Sequence, residues 1–396
     1  MKKTLLVVTL LAAGTSQAAG LAIDTQNARA TGMGSVGVAS SQDASAIYYN
    51  PAGILGVTKL DAQLGDSLIL LGLGFTREGG SKQTQNTVSP PPHAYFVYKF
   101  DEKVAAGVGV FTPFGANSNW PDDFVGRFLA KSSKVATYDI NPTVAFAPMP
   151  WLRFGAGFQA VYGTVDVSRQ LNLITTEGTA TLSGNDWGIG FNAGVQADVV
   201  PQFLTLGVQY RSQVDMRFKG DADFNTPPEF APVTPPDQPF TLDVTMPASL
   251  GLGVAIVPLP KLLVSADVNW VQWSTVEQLY FQLQDTPQAN PPVPKNWEDR
   301  WNVHVGAEYG LTSSLAVRAG FVYDPTPSPE ETLSPDLPDA DRMRITVGAG
   351  YSFSSFRVDA GYQLVLLSDQ ESTFQPLPGT YSGSAHVVGL TLGYSQ

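Results

Sequence analysis

From Arg342 to Phe353 every second residue is apolar. Met343, Ile345, Val347, Ala349, Tyr351 and Phe353 alternate with Arg342, Arg344, Thr346, Gly348, Gly350 and Ser352. A period of two belongs to a β-strand with two unlike faces; a helix repeats its faces every 3.6 residues. The pattern recurs along the chain. Leu152, Phe154, Ala156, Phe158, Ala160 and Tyr162 oppose Arg153, Gly155, Gly157, Gln159 and Gly163. Phe356, Val358, Ala360, Tyr362, Leu364 and Leu366 oppose Arg357, Asp359, Gly361 and Gln363, and Val388, Leu390, Leu392 and Tyr394 oppose Gly389, Thr391 and Gly393. Two folds use such strands. A soluble sandwich buries the apolar face, whereas a membrane barrel turns it to lipid and lines its lumen with small and polar groups.

Composition favours the barrel. Only 15% of the 396 residues are charged, against about 25% in soluble domains. The mean hydropathy of -0.01 is too low for a bundle of membrane helices. The 21 Phe, 14 Tyr and 7 Trp exclude a disordered chain. With no cysteine there is neither a disulfide framework nor a thiol nucleophile. A net charge of -12 argues against nucleic acid as a partner.

The N-terminus reads as an export signal over residues 1–18. Lys2 and Lys3 precede a short apolar run, Thr4 to Ala13, and Ser16 and Ala18 are the small residues before a cut. The run is too short to span a bilayer, and no other apolar stretch approaches the required length. An exported chain without a spanning helix resides in a membrane only as a closed barrel. Connection lengths agree. Tight turns at 101–103, 148–151, 200–202, 258–261, 310–313 and 354–355 alternate with long links at 77–92, 112–132, 168–183, 219–239, 283–295, 324–340 and 368–380. Short periplasmic turns and long extracellular loops give this rhythm, here with about fourteen strands over residues 60–396. Trp120, Trp151, Trp270, Trp273, Trp297 and Trp301 are candidates for the aromatic girdles.

Residues 19–59 break the strand pattern. They are rich in Gly, Ala and Ser, and are read as a plug for a lumen that about fourteen strands would otherwise leave open. Asn50-Pro51-Ala52-Gly53 is a turn within this segment.

The chain resembles the FadL-type family of outer-membrane transporters for long-chain fatty acids and other hydrophobic compounds. The resemblance rests on Asp43-Ala44-Ser45-Ala46-Ile47-Tyr48-Tyr49-Asn50-Pro51-Ala52-Gly53, on Thr112-Pro113-Phe114-Gly115, and on Pro121-Asp122-Asp123-Phe124 with Gly126-Arg127. Asp139-Ile140-Asn141-Pro142, Arg318-Ala319-Gly320, Tyr323-Asp324-Pro325 and Leu337-Pro338-Asp339 with Asp341-Arg342 follow in order. It implies an all-β, fourteen-stranded antiparallel transmembrane barrel with an N-terminal hatch over residues 19–59, in the outer membrane of a Gram-negative bacterium. It further implies capture of a hydrophobic ligand on the loop 112–132, transfer to a pocket near the hatch, and lateral release through the wall at a kinked strand. Asn50, Pro51, Ala52 and Gly53 become the hatch or gate element. Implied surroundings are outer-membrane lipid, lipopolysaccharide and the barrel assembly machinery. No trimer contact is visible, and the chain is read as a monomer without cofactor or metal.

The loop 112–132 carries Phe114, Trp120, Phe124, Phe128 and Leu129 as capture residues. Counted from Asp122 as N-cap, Val125, Phe128 and Leu129 share one helical face with Phe124 adjoining. Strand parity turns Arg153, Arg300, Arg318, Arg342, Arg344 and Arg357 inward beside Glu298, Glu308 and Asp359. They form either a ladder bracing the plug against the wall or a group meeting an anionic head group. His93, His304 and His386 are the only histidines, and no nucleophile elbow or metal pair is present, so no catalytic residue is assigned. Alternatives are a general diffusion porin, which needs no plug, uptake of aromatic hydrocarbons in place of fatty acids, and a surface receptor acting through its loops.

Overall fold

The computed structural model describes residues 20–287 and 290–396; the export signal expected over 1–18 lies outside them. Fourteen antiparallel strands among the described residues close into a barrel. They are β1 (Leu60–Thr76), β2 (Gln83–Ser89 and Pro92–Lys99), β3 (Val104–Phe111 and Gly115–Asn119), β4 (Ser132–Met149), β5 (Leu152–Asn172), β6 (Glu177–Val200) and β7 (Leu204–Arg211 and Val214–Asn225). There follow β8 (Gln238–Met246 and Ser249–Leu259), β9 (Leu262–Val271), β10 (Arg300–Gly310), β11 (Leu315–Asp324), β12 (Arg342–Phe353), β13 (Phe356–Ser372) and β14 (Gly379–Ser395). Closure comes from β1 against β14, in register from Asp61↔Ser395 to Thr76↔Thr380. Leu60 and Gln396 exchange both backbone hydrogen bonds, at 3.0 and 2.9 Å.

Across the middle of each strand the parity read from sequence holds. Phe154, Ile189, Val208, Leu252, Val305, Ile345 and Leu390 stand exposed on the outer face. Gly155, Gly194, Gly207 and Gly253 face the lumen against the N-terminal segment. Trp151 and Trp301 are exposed on the outer wall, as is Trp187. Trp120, Trp273 and Trp297 are buried, contrary to a girdle position; they sit on loops folded over the lumen and fill its interior.

Two of the long links differ from the sequence reading, one shorter and one longer than expected. β5 and β6 continue past the expected boundary and are joined by residues 173–176 alone; β10 starts late, so the link after β9 runs over 272–299. Strand ends beyond the lipid invert their parity. On β7, Leu206, Val208 and Tyr210 point outward below a break at 212–213. Above it Val214, Met216 and Phe218 point inward, and Asp215 and Arg217 outward. On β8 the break at 247–248 separates outward Leu252 and Val254 from inward Phe240, Leu242 and Met246. Outside the bilayer, water takes the outer face, so apolar side chains are driven into the lumen. A rule of apolar-out, polar-in therefore misreads these ends as loops.

The N-terminal segment lies inside the barrel. It holds two short helices, α1 (Ala28–Gly32) and α2 (Ala46–Tyr49), and a 3-10 turn over Pro51–Gly56. Asn27 caps α1 by accepting from the backbone N–H groups of Arg29 and Ala30. Ala44, Ala46, Ile47, Ile54 and Leu55 pack on Tyr95, Phe111 and Ala145 of the wall.

Candidate functional site: a two-storey lumen

The lower storey is polar and filled. Asn50 donates from Nδ2 to the carbonyls of Val38 (2.7 Å), Val195 (3.1 Å) and Val208 (3.2 Å), so one side chain ties the segment to itself, to β6 and to β7. Its Oδ1 accepts from Ala52 N–H, and Pro51, which has no N–H to place, opens the 3-10 turn. The wall accepts this turn because of its glycines. A Cβ at Gly155 would fall 2.2 Å from the Pro51 carbonyl carbon, and one at Gly194 2.0 Å from Asn50 Oδ1. Asn50, Pro51, Ala52 and Gly53 thus form the docking element of the segment.

Charge completes the docking. Arg344 on β12 binds Asp24 bidentately, with both bonds at 2.7 Å. Burial disfavours the Asp24 carboxylate, but the Arg344 guanidinium more than offsets this and holds its pKa below the usual range. Arg29 donates to Glu308 at 2.9 and 3.0 Å, and Glu308 also accepts from Arg318 at 2.5 Å. Arg318 reaches Asp359 (2.8 Å), Asp359 pairs with Arg357 (2.6 Å), and Arg357 returns to the segment at Asp43 (3.4 Å). Asp267 on β9 accepts from the backbone N–H groups of Gly37 and Val38 at 2.6 and 3.0 Å.

All six arginines singled out in the sequence have carboxylate partners. Besides Arg318, Arg344 and Arg357, Arg153 pairs with Asp198 (2.8 Å), Arg300 with Glu298 (2.7 Å) and Arg342 with Asp339. Arg153 lies near the 148–151 turn and Arg300 at the rim, so neither meets the centre of the lumen.

The upper storey is apolar and hollow. A cavity of about 280 Å³ is lined by Val165, Val167, Leu182, Phe218, Leu242 and Phe281, among others, and roofed by Leu129 and Pro291–Val293 of two loops. Arg169 on β5 also lines it, and among the described residues no carboxylate pairs with its guanidinium. Sequence reasoning missed Arg169 because it placed 168–183 in a link. The signal was present: Val161, Gly163, Val165, Val167 and Arg169 continue one parity. Beneath lies a polar cavity of about 100 Å³ holding Asp24, Arg211, Asp267 and His304; Phe114, Val271 and Trp273 stand between the two.

The loop 112–132 does not form the expected apolar helix. Successive turns run from Pro121 to Ala130, closed by Phe124 N–H to Pro121 O and Leu129 N–H to Gly126 O. Trp120 and Phe124 stack at 4.2 Å and are buried with Phe75 and Tyr381, so they pack into the protein and are not exposed on the loop. Gly126, a poor helix former, lies within the run, and the chain takes successive turns in place of a helix. Phe114 joins the apolar wall, Phe128 lies under Arg127 at 4.4 Å, and Leu129 reaches the cavity.

The wall is interrupted where β3 kinks. Above Ala94↔Val110 no register pair joins β2 to β3. The N-terminal segment occupies the kink: Ile23 N–H donates to Pro113 O (2.8 Å) and Gly115 N–H to Leu21 O (2.7 Å).

Residues 9–395 match the family described as outer membrane protein transport protein (OMPP1/FadL/TodX). The chain is 22% identical over 405 residues to a long-chain fatty acid transport protein of Escherichia coli K12, covering 90% of each. It is similar to the crystal structure of a Pseudomonas aeruginosa FadL homologue, with TM-score 0.87 at 20% identity, over 95% of this chain and 100% of that one. The P. putida toluene transporter TodX superposes with TM-score 0.73 at 18% identity, over 94% and 98%.

Proposed function

Since the chain belongs to the OMPP1/FadL/TodX family of outer-membrane transport proteins, which are channels for hydrophobic compounds and not enzymes, we propose that its cargo is a long-chain fatty acid. Residues 1–18 are the export signal and 19–59 the hatch of this outer-membrane barrel. The ligand enters past Leu129 and lodges its chain in the apolar cavity, with its carboxylate on Arg169. It then passes the hatch when Leu21–Ile23 leave the β3 kink, and exits sideways between β2 and β3.

One observation carries this reading: a cation without a carboxylate partner lines a cavity that is mostly apolar and whose one other charged lining residue, Asp336, is already paired with Lys295. An unpaired charge in such surroundings is costly, and an anionic head group relieves the cost. The cavity is near the lower end of the usual range of about 300–1,000 Å³ for ligand sites. The likeness to a toluene transporter supports a second reading, uptake of aromatic hydrocarbons, for which the same lining suffices without Arg169.

Binding of oleate and of toluene to the purified protein and to Arg169→Ala separates the two. Loss of a charge-assisted bond worth about 1.5–3 kcal/mol weakens oleate binding roughly tenfold or more and leaves toluene unchanged. Equal oleate affinity in both proteins refutes the assignment of Arg169.

A further inference from the structure

The barrel wall has a second seam, between β6 and β7. Register pairing stops at Asn192↔Arg211 and resumes one residue out of step at Asn185↔Lys219. Between them none of Asp186–Phe191 has a strand partner on β7. The break coincides with the interruptions of β7 at 212–213 and of β8 at 247–248, which lie side by side. β7 leans inward here: Met216 and Phe218 reach over Gly163 of β5, one strand beyond their neighbour.

Across the gap the backbone keeps one hydrogen bond, Ser212 N–H to Phe191 O at 2.9 Å, and side chains make two more. Arg217 N–H donates to Asp186 Oδ2 at 2.6 Å, and Phe191 N–H donates to Ser212 Oγ at 2.9 Å. This difference matters in a membrane. Parting two strands joined by a backbone ladder strands N–H and C=O groups in lipid, which offers them no new partner. At this seam a carboxylate and a hydroxyl satisfy the N–H groups of Arg217 and Phe191, and flexible side chains can follow a moving strand.

The two sides of the seam differ in what they meet. Inside, Phe218 at the end of the seam lines the apolar cavity, as does Leu182 of β6 just beyond it, where Leu182 is again paired with Ala222 of β7. Outside, Trp187, Ile189 and Phe191 form a row of exposed apolar groups, and β7 changes from apolar Tyr210 to charged Asp215 and Arg217 at the same level. A switch from apolar to charged outer residues marks the border of the lipid.

We infer that the β6–β7 seam is a second lateral passage, connecting the apolar cavity to the outer leaflet of the membrane for hydrophobic small molecules. It rests on the cavity being the transport site and is independent of Arg169. Its position opposite the outer leaflet gives lipid-dissolved cargo a way to the cavity that does not cross the loop roof.

A disulfide across the seam tests this, in a chain that has no other cysteine. A Cβ at Gly188 falls 2.4 Å from Val214 Cγ1, so Gly188→Cys with Val214→Cys is within bridging reach. Gly190→Cys with Ser212→Cys is a second lock, the Cβ lying 2.7 Å from Ser212 Oγ. Uptake of oleate and of toluene is measured in cells producing each double variant, oxidised and then reduced. The single-cysteine variants serve as controls, and mass spectrometry confirms complete bridging. The passage predicts about a fivefold fall for both probes on oxidation and recovery on reduction, because a gate is held shut. Equal uptake in the two states for whichever lock folds, or a fall confined to one probe, overturns it. Failure of Arg169→Ala to alter oleate binding bears on the fatty-acid assignment alone.

Discussion

The two storeys of the lumen are built on opposite principles. Below, the N-terminal segment meets the wall through Arg344–Asp24, Arg29–Glu308 and the three hydrogen bonds of Asn50, and little space is left. Above, Leu182, Phe218 and Leu242 enclose about 280 Å³ with one unpaired cation. Directional charge pairs fix a plug in one pose, and non-directional apolar contact accepts ligands of varied shape. On the proposed function, closure and recognition fall to different residues, and substitutions separate them.

The largest effect is expected below. Arg344→Ala leaves the Asp24 carboxylate buried without its bidentate partner, at a cost of about 3–5 kcal/mol. A loosened plug raises conductance in planar bilayers; wild-type conductance would mean that charge does not clamp the segment. Next, Leu182→Asn places an amide in the apolar cavity. Uptake falls about tenfold, roughly 1.4 kcal/mol, and conductance stays low. A change in conductance with normal uptake would dissolve the division between storeys.

A smaller effect concerns the roof. Lys295 Nζ bonds Asp336 at 2.7 and 2.9 Å, joining the loop 272–299 to the loop between β11 and β12. Burial raises the Asp336 pKa, but Lys295 more than compensates, so it lies below the ordinary value of 3.8. A depressed folded value contributes stability above the unfolded pKa and loses it as pH falls through the folded one. The clasp is therefore intact from neutral pH to about pH 4 and weakens only below it, as protease cleavage of the roof loops against pH would report. Protection that declines between pH 7 and 5 would contradict the pairing. The smallest effect is at Val125, which is exposed and outside the cavity lining. Val125→Ser should alter stability by no more than about 0.5 kcal/mol and leave uptake unchanged, measured at equal surface abundance.

Much of the lower storey was legible in sequence. A charge on the lipid face is costly, so parity alone turned Arg318, Arg344 and Arg357 inward, and a run rich in small residues suited close packing on wall glycines. The upper storey was hidden because the rule itself reverses where lipid gives way to water. Val165 and Val167 obey the parity of their strand but carry the polarity of its other face, and Arg169, which follows the rule, fell beyond the strand end they obscured. Trp120 and Phe124 show a different limit. Both were read as capture residues on an apolar loop, yet the loop folds back on Phe75 and Tyr381, partners more than forty residues before and two hundred after them in the chain. Local periodicity carries no information about such partners.

The seal between β1 and β14 has a consequence for the order of assembly. Asp24, Ala28 and Arg29 are made early, but their partners Arg344, Thr391 and Glu308 are among the last third of the chain to emerge. The plug must therefore wait, without its charge partners, until the final strands arrive. Thr391 belongs to the strand that shuts the barrel, so it joins Ala28 and closes the wall in one event. A chain stalled one strand short would have two open sheet edges and an unfastened plug, leaving early failures exposed to pairing with other chains and to proteolysis.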